Sequence, residues 1–308
     1  MAQSTPILRI GTRGSPLALV QARTVRSRLS AALSEPEDAI ELVVIKTSGD
    51  AIQDRPLAEV GGKGLFTKEI EEALLDGRID LAVHSAKDMP TFSQAGLLLA
   101  ACLEREDPRD VFISHKGKSF ADLPQGATLG TASLRRQAIA MRLRPDLKVA
   151  PLRGNVETRL RKLAEGEVDA TILALAGLKR LGLTQHATAI MSADEFLPAV
   201  AQGAIGLEAR EKDTRTRDIL ARINHVDTLT AIACERAFLA ELDGSCKTPI
   251  AGHASLSGDA LAFRGLIARP DGKAAHDIAG TGHRKDAIKI GTEAGRELKH
   301  RAGPGFFD

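Results

Sequence analysis

Lys87 and Asp88 stand side by side where an apolar run turns polar, in Asp80-Leu-Ala-Val-His-Ser-Ala-Lys-Asp-Met-Pro90. Leu81-Ala82-Val83 has the character of a buried parallel strand. Pro90, which has no N–H to donate, ends the ladder. A strand of this kind delivers the Lys-Asp pair to its carboxyl end, where open α/β sheets place their ligand crevice. The pair is therefore a candidate reactive site, although two solvated turn residues would look the same in isolation. His84 reads as a packed, hydrogen-bonded strand residue.

A second set of candidates is basic. Arg13 stands at the start of one helix, and Arg135 and Arg136 at the start of another. Arg153 and Arg159 flank an Arg-Gly-Asn turn, and Lys179-Arg180 follow a strand. Helix N-termini attract anions through free N–H groups and the macrodipole. Arginine adds a planar fork that matches carboxylate or phosphate. Such a set in a chain whose formal net charge is only +2 points to a local site for a multiply anionic small molecule. Arg142 and Arg161 read as solvated helix residues.

The third candidate is Cys246, in the turn Gly244-Ser245-Cys246-Lys247. The adjacent lysine favours thiolate, so the residue is a nucleophile, an attachment point or an exposed thiol. Cys102 and Cys234 lie in apolar surroundings and read as inert core residues.

Several function classes are excluded. Trp and Tyr are absent, which removes the usual base-stacking platform for nucleic acid. Gly61-Gly62-Lys63-Gly64 lacks the spacing of a phosphate-binding P-loop, and no dinucleotide fingerprint follows a strand. No histidine pair has metal spacing, so no metal is expected. The first residues carry no secretory pattern, and no apolar run is long enough to span a membrane. With three scattered cysteines, a cytoplasmic protein is expected.

The elements that position these residues follow an α/β rhythm. A strand at Ile7–Ile10 leads into a helix opened by Ser15 and Pro16. Further strands are expected at Glu41–Thr47, Leu81–His84 and Leu97–Leu103, with a helix at about Phe66–Leu75. Glu104–Asp110 reads as a charged crossover. The pattern then repeats. Leu74–Val83 aligns with Leu163–Ile172, each reading helix end, glycine, aspartate and strand, and Gly11-Thr12 aligns with Gly130-Thr131. Lys87-Asp88 corresponds to Ala176-Gly177 in the second copy, so the reactive pair occurs once. Mostly parallel sheets with right-handed crossovers follow. After about Asp227 a helix, three strands and a last helix form a small α+β domain. The expected limits are 1–103 with 204–221 for the first lobe, 109–198 for the second and 226–308 for the third domain.

Taken together, these motifs resemble the porphobilinogen deaminase (hydroxymethylbilane synthase) family. The likeness rests on Gly11-Thr12-Arg13 through Leu19, Val60–Phe66, Val83-His84-Ser85 with Lys87-Asp88, Ser133–Gln137, Leu152–Asn155, Ala176–Gly182 and Leu197–Gly203. It implies two α/β lobes like type II periplasmic binding proteins plus the small C-terminal domain. It implies a dipyrromethane cofactor held by Cys246, and the stepwise condensation of four porphobilinogen molecules. Asp88 becomes the catalytic carboxylate. Ser85, Lys87, Asp88, Ser133, Arg135 and Arg136 become cofactor contacts. Arg13, Ser15, Gln21, Lys63, Phe66, Arg153, Arg159, Arg180 and Gln202 become substrate contacts. A monomer without nucleic-acid or membrane partners is expected. Glu59 stands where relatives often carry a basic residue, and Gly-Ser-Cys-Lys replaces the more familiar Gly-Gly-Cys-Gln. The competing reading is a non-catalytic two-lobe receptor for an anionic small molecule.

Overall fold

The computed structural model describes residues 6–51, 64, 66–244 and 248–307. It comprises two compact units. One gathers the described residues up to Glu106 together with Ala204–Leu229; the other takes Asp107–Gly203 and the described residues from Thr230 onward. In chain order the regular elements begin with β1 (Leu8–Thr12), α1 (Pro16–Leu33), β2 (Ile40–Val44), α2 (Ser48–Ala51), α3 (Lys68–Leu75), β3 (Leu81–Ser85) and β4 (Leu97–Cys102). There follow β5 (Asp110–Ser114), β6 (Thr128–Gly130), α4 (Leu134–Leu143), β7 (Lys148–Ala150), α5 (Val156–Ala164), β8 (Ala170–Ala174), α6 (Leu175–Leu181) and β9 (Ala189–Ile190). The chain closes with β10 (Ile205–Arg210), α7 (Thr214–Ala221), α8 (Val226–Glu241), β11 (Ile250–Ser257), β12 (Ala260–Ala268), β13 (Ala275–His283) and α9 (Ala287–Ala302).

The internal repeat of the sequence is a repeat of structure. The first unit holds a sheet of order β2-β1-β3-β10-β4, and the second a sheet of order β7-β6-β8-β5-β9. In each, the first three strands run parallel and the fourth runs antiparallel. The mostly parallel expectation holds, with one reversed strand per sheet. The match extends to single hydrogen bonds. Asp80 N donates to Arg9 O at 2.9 Å, and Asp169 N donates to Thr128 O at the same distance. The Asp80 carboxylate accepts from Arg9 N at 2.8 Å, and that of Asp169 from Thr128 N at 2.7 Å. Gly77 and Gly166, just before these aspartates, both sit at φ +78°, a left-handed conformation that glycine adopts without steric cost.

Strand composition follows from burial. Leu8, Ile10, Leu81, Leu207 and Ala209 are fully enclosed with α1 residues Ala22, Val25 and Leu29. Each large aliphatic side chain there contributes about 1.5–3 kcal/mol. In the second unit, Phe112, Leu129, Ile139, Ile172 and Phe196 form a common core with Ala251 and Leu266 of the three-stranded sheet β11-β12-β13. That sheet is antiparallel throughout. Helix α9 lies against α8 so closely that a Cβ at Gly291 would sit 2.0 Å from Cys234 O.

Two sequence expectations are corrected. The run Glu104–Asp110 is not crossover to its end: Asp110 opens β5 and is fully buried. The second strand ends at Val44, short of Thr47.

Candidate active site

In the first unit, three loop ends bring the candidates together. The chain leaves β1 at Thr12, and Ser15 Oγ caps α1 by accepting from Ala18 N at 3.4 Å. Pro16 occupies the first helical turn, where its missing N–H costs nothing. The chain leaves β3 at Ser85 and enters a tight 3₁₀ turn, Ala86–Asp88. Gln21, buried on α1, reaches across to this turn: its amide nitrogen donates to Ser85 Oγ at 2.9 Å. The Arg13 guanidinium lies over the Phe66 ring, 4.2 Å from its centroid, a cation–π arrangement that holds it in place. Arg13, Ser15, Gln21, Phe66, Ser85 and Asp88 line one pocket. Asp88 is exposed, while Lys87 is half-buried. The structure thus gathers seven of the candidate residues in one unit, Lys87 sharing the turn of Asp88.

In the second unit, the basic candidates converge on an acid. The carboxylate of Asp110 accepts from Arg135 Nη2 at 2.6 Å, from Arg136 Nη2 at 2.9 Å and from Gln202 Nε2 at 2.9 Å. Burial by itself would raise the pKa of this carboxyl. The two guanidiniums outweigh that and hold it well below the ordinary carboxylate range. Arg135 Nη1 also donates to Leu197 O at 2.7 Å, and Gln202 Nε2 to Pro108 O at 2.7 Å. Ser133 caps α4, accepting from Arg136 N at 3.4 Å. Arg180 Nη2 donates to Gly203 O at 2.6 Å, and Arg159 Nε to Gly154 O at 3.0 Å. Arg142 and Arg161 form exposed ion pairs with Asp277 and Glu165, as expected of solvated helix residues. Burial, followed by the charge of Glu235, pushes the Cys234 thiol up to about 12, in keeping with an inert core residue.

The described residues include donors suited to further carboxylates. Arg135 Nε, Arg136 Nε and Arg153 Nη1 are buried without a hydrogen-bond partner among them. A buried N–H left unpaired is costly, and an acetate or propionate oxygen would satisfy it. The residues therefore fit a group such as dipyrromethane, which carries those acids. Cys246 and Lys63, like Glu59, Ser245 and Lys247, lie outside the described residues. Among the described residues no cluster suited to a metal ion occurs.

Sequence reasoning missed Asp110, Glu208 and Glu71. The last two are buried beside His84 in the first unit. Their signals were present: Glu208 interrupts the apolar run Ile205–Ala209, and Glu71 shares a helix face with Ile70 and Leu74. An acid enclosed among apolar neighbours requires a partner or a proton.

The chain matches two family models, "Porphobilinogen deaminase, dipyromethane cofactor binding domain" over residues 8–218 and "Porphobilinogen deaminase, C-terminal domain" over residues 229–300. It is 60% identical to a porphobilinogen deaminase of Nitrobacter winogradskyi over 298 residues, covering 97% of this chain and 94% of the relative. A porphobilinogen deaminase of Nitrobacter hamburgensis is 59% identical over the same coverage. A periplasmic substrate-binding protein of an ABC transporter from Coxiella burnetii is a distant likeness, with 15% identity and a TM-score of 0.44 over 75% of this chain and 97% of that chain. With family models matched along nearly its whole length and relatives at this identity, the chain belongs to the porphobilinogen deaminase family.

Proposed function

We propose that the chain condenses four porphobilinogen molecules head to tail, with loss of ammonia, and releases hydroxymethylbilane for tetrapyrrole synthesis. The family assignment disfavours the receptor reading. The observation that carries the site assignment is the exposed Asp88 carboxylate at the end of β3, in a pocket with Arg13 and Ser85.

The chemistry asks for this arrangement. When ammonia leaves, the C–N electron pair departs with nitrogen, and a cation remains on the substrate's methylene and pyrrole ring. A fixed carboxylate stabilises that cation and accepts pyrrole N–H donors. It can also take the proton lost when the next pyrrole carbon forms its bond. Arg13 would hold a substrate carboxylate, with Phe66 beside it as a flat apolar wall. Lys87 and Ser85 would complete the contacts around Asp88, with Gln21 fixing Ser85.

The dipyrromethane, when bound, supplies the free pyrrole carbon from which the chain grows. In this reading Cys246 holds it by thioether, on the domain of residues 226–308. Ser133, Arg135 and Arg136 would meet its acidic side chains, and Arg153, Arg159, Arg180, Gln202 and Lys63 those of the added units. The protein would work as a cytoplasmic monomer. Among the described residues no helix is long and apolar enough to cross a membrane.

The decisive experiment combines intact mass with turnover. The purified protein should carry the mass of two linked pyrroles, lost in Cys246→Ser, and should release ammonia from porphobilinogen. Asp88→Asn should fold and retain that mass while losing nearly all turnover. A wild-type protein of unmodified mass that leaves porphobilinogen untouched would overturn the reading.

A further inference from the structure

One buried acid of the second unit stands outside the reaction scheme. Glu235, on α8, is fully enclosed. Both of its carboxyl oxygens accept backbone N–H groups from other parts of the fold. Oε2 accepts from Ala201 N at 2.6 Å, and Oε1 from Ala254 N, in β11, at 2.7 Å.

Ala201 holds a conformation that a side chain disfavours. Among the described residues, the non-glycine positions with positive φ are Ser34 at 57°, Ala201 at 61° and Asp243 at 50°. Ser34 and Asp243 are exposed and follow the ends of α1 and α8, where a left-handed residue is an ordinary helix stop. Ala201 is 1% exposed and lies in an irregular turn. A non-glycine residue persists there only when its surroundings over-determine it. The Glu235 carboxyl, bound to its N–H, is such a constraint. The neighbours of Ala201 in turn hold the basic cluster. Leu197 O accepts from Arg135, Gln202 donates to Asp110 Oδ1 and Pro108 O, and Gly203 O accepts from Arg180. Pro198 O accepts from Gly252 N of β11 at 3.0 Å. Residues 197–203 thus touch Arg135, Asp110 and Arg180, and are themselves fastened to α8 and β11.

We propose that Glu235 is a positioning residue: it clamps Ala201 in the left-handed conformation, and so sets the Gln202 amide on Asp110 and the Gly203 carbonyl on Arg180, giving the basic residues a fixed geometry for the substrate's carboxylates. It touches neither substrate nor reacting atoms. The inference rests on the function proposed above. Its influence falls on binding. When the turn populates other conformations, only the competent fraction takes substrate at full strength, and apparent affinity falls by that fraction. The Asp88 turn belongs to the other unit and takes no part in these contacts, so the chemical step is spared.

The test uses Glu235→Gln in the dipyrromethane-carrying protein. Whichever way the new amide lies, its NH2 faces the N–H of Ala201 or of Ala254, a donor against a donor. KM for porphobilinogen should rise by about tenfold, with kcat within about twofold of wild type. Adding Ala201→Gly should return KM to within about threefold of wild type, because glycine adopts positive φ without a clamp. A merely structural role would not be repaired in this way. Glu235→Asp, which shortens the reach, carries the same comparison if Glu235→Gln does not fold. Independently of activity, the NMR signal of the Gln202 side-chain amide, assigned by its loss in Gln202→Ala, should shift in Glu235→Gln and return with Ala201→Gly. An unchanged KM in both Glu235 variants would overturn the proposal, as would a raised KM that Ala201→Gly leaves raised, or a Gln202 amide signal indifferent to Glu235. If the wild type fails to consume porphobilinogen, the proposed function falls, while the Gln202 signal still decides whether the clamp exists.

Discussion

Asp110 Oδ2 lies 2.6 Å from Arg135 Nη2, and neither side chain has more than 5% exposure. The pair joins the first residue of β5 to the first turn of α4, and Arg136 closes on the other oxygen at 2.9 Å. An acid that bridges two guanidiniums fixes both in one geometry. It also halves the positive charge that the helix start would otherwise bury.

Asp110→Asn should therefore destabilise the protein by about 3–5 kcal/mol, because it leaves two buried cations without a countercharge. The pH dependence has a definite sign. The carboxyl is depressed in the folded state, so its contribution is complete above the ordinary aspartate value of 3.8 and is lost as pH falls through the folded value. Urea unfolding of wild type and variant between neutral and acid pH checks this. The gap between them should narrow as pH drops below about 4.

How much of this was legible beforehand differs from residue to residue. Ser15 with Pro16, the repeat across Gly77 and Gly166, and the polar end of β3 are local patterns, so the sequence displays them. Asp110 is not local. Its partners lie 25 and 26 residues away, and in sequence it is the last acid of a charged run. The same holds for Glu208, whose imidazole partner is 124 residues distant. Clustered arginines announce an anion, but whether that anion is a ligand or an aspartate of the same chain is settled by tertiary packing.

Glu71 should show the opposite pH signature to Asp110. Burial raises its carboxyl above the ordinary 4.5, with the charge of Glu208 adding to the shift. Its contribution to stability is then complete below 4.5 and is lost as pH rises through the folded value. Glu71→Gln mimics the protonated form and removes this dependence. Relative to wild type, the variant should gain stability as pH rises from about 4.5 through the folded value, as read by chemical denaturation. A constant difference across that range would count against the assignment.

The repeat makes a packing prediction. At Gly11 an added Cβ would meet Ile79 Cδ1 at 2.2 Å, so Gly11→Ala should cost about 1–3 kcal/mol through overpacking. The obstacle is the tip of one side chain. Ile79→Val removes that methyl and should recover much of the loss, giving a favourable coupling in a double-mutant cycle. At Gly130 the corresponding Cβ would face Leu152 Cδ2 and Val168 Cγ2, each at 2.9 Å. Truncating Val168 alone should therefore rescue Gly130→Ala less well. Thermal or urea unfolding of the two cycles separates the cases.

Arg153 and Arg136 should respond differently to the same substitution. The Nη2 of Arg136 is bound to Asp110, so Arg136→Leu removes one partner of a buried ion pair and should destabilise the protein by about 3 kcal/mol. Arg153 instead has a buried Nη1 without a partner among the described residues. Replacing it relieves an unsatisfied donor, and Arg153→Leu should change stability by less than about 1 kcal/mol. If that donor serves a substrate or cofactor carboxylate, the cost appears in binding: cofactor assembly or KM should worsen roughly tenfold or more, since a charge-assisted hydrogen bond contributes about 1.5–3 kcal/mol. Urea unfolding paired with intact mass and steady-state kinetics reads both halves. An Arg153→Leu protein with normal assembly and normal KM would remove Arg153 from the carboxylate site, and one that unfolds as readily as Arg136→Leu would assign it a structural role instead.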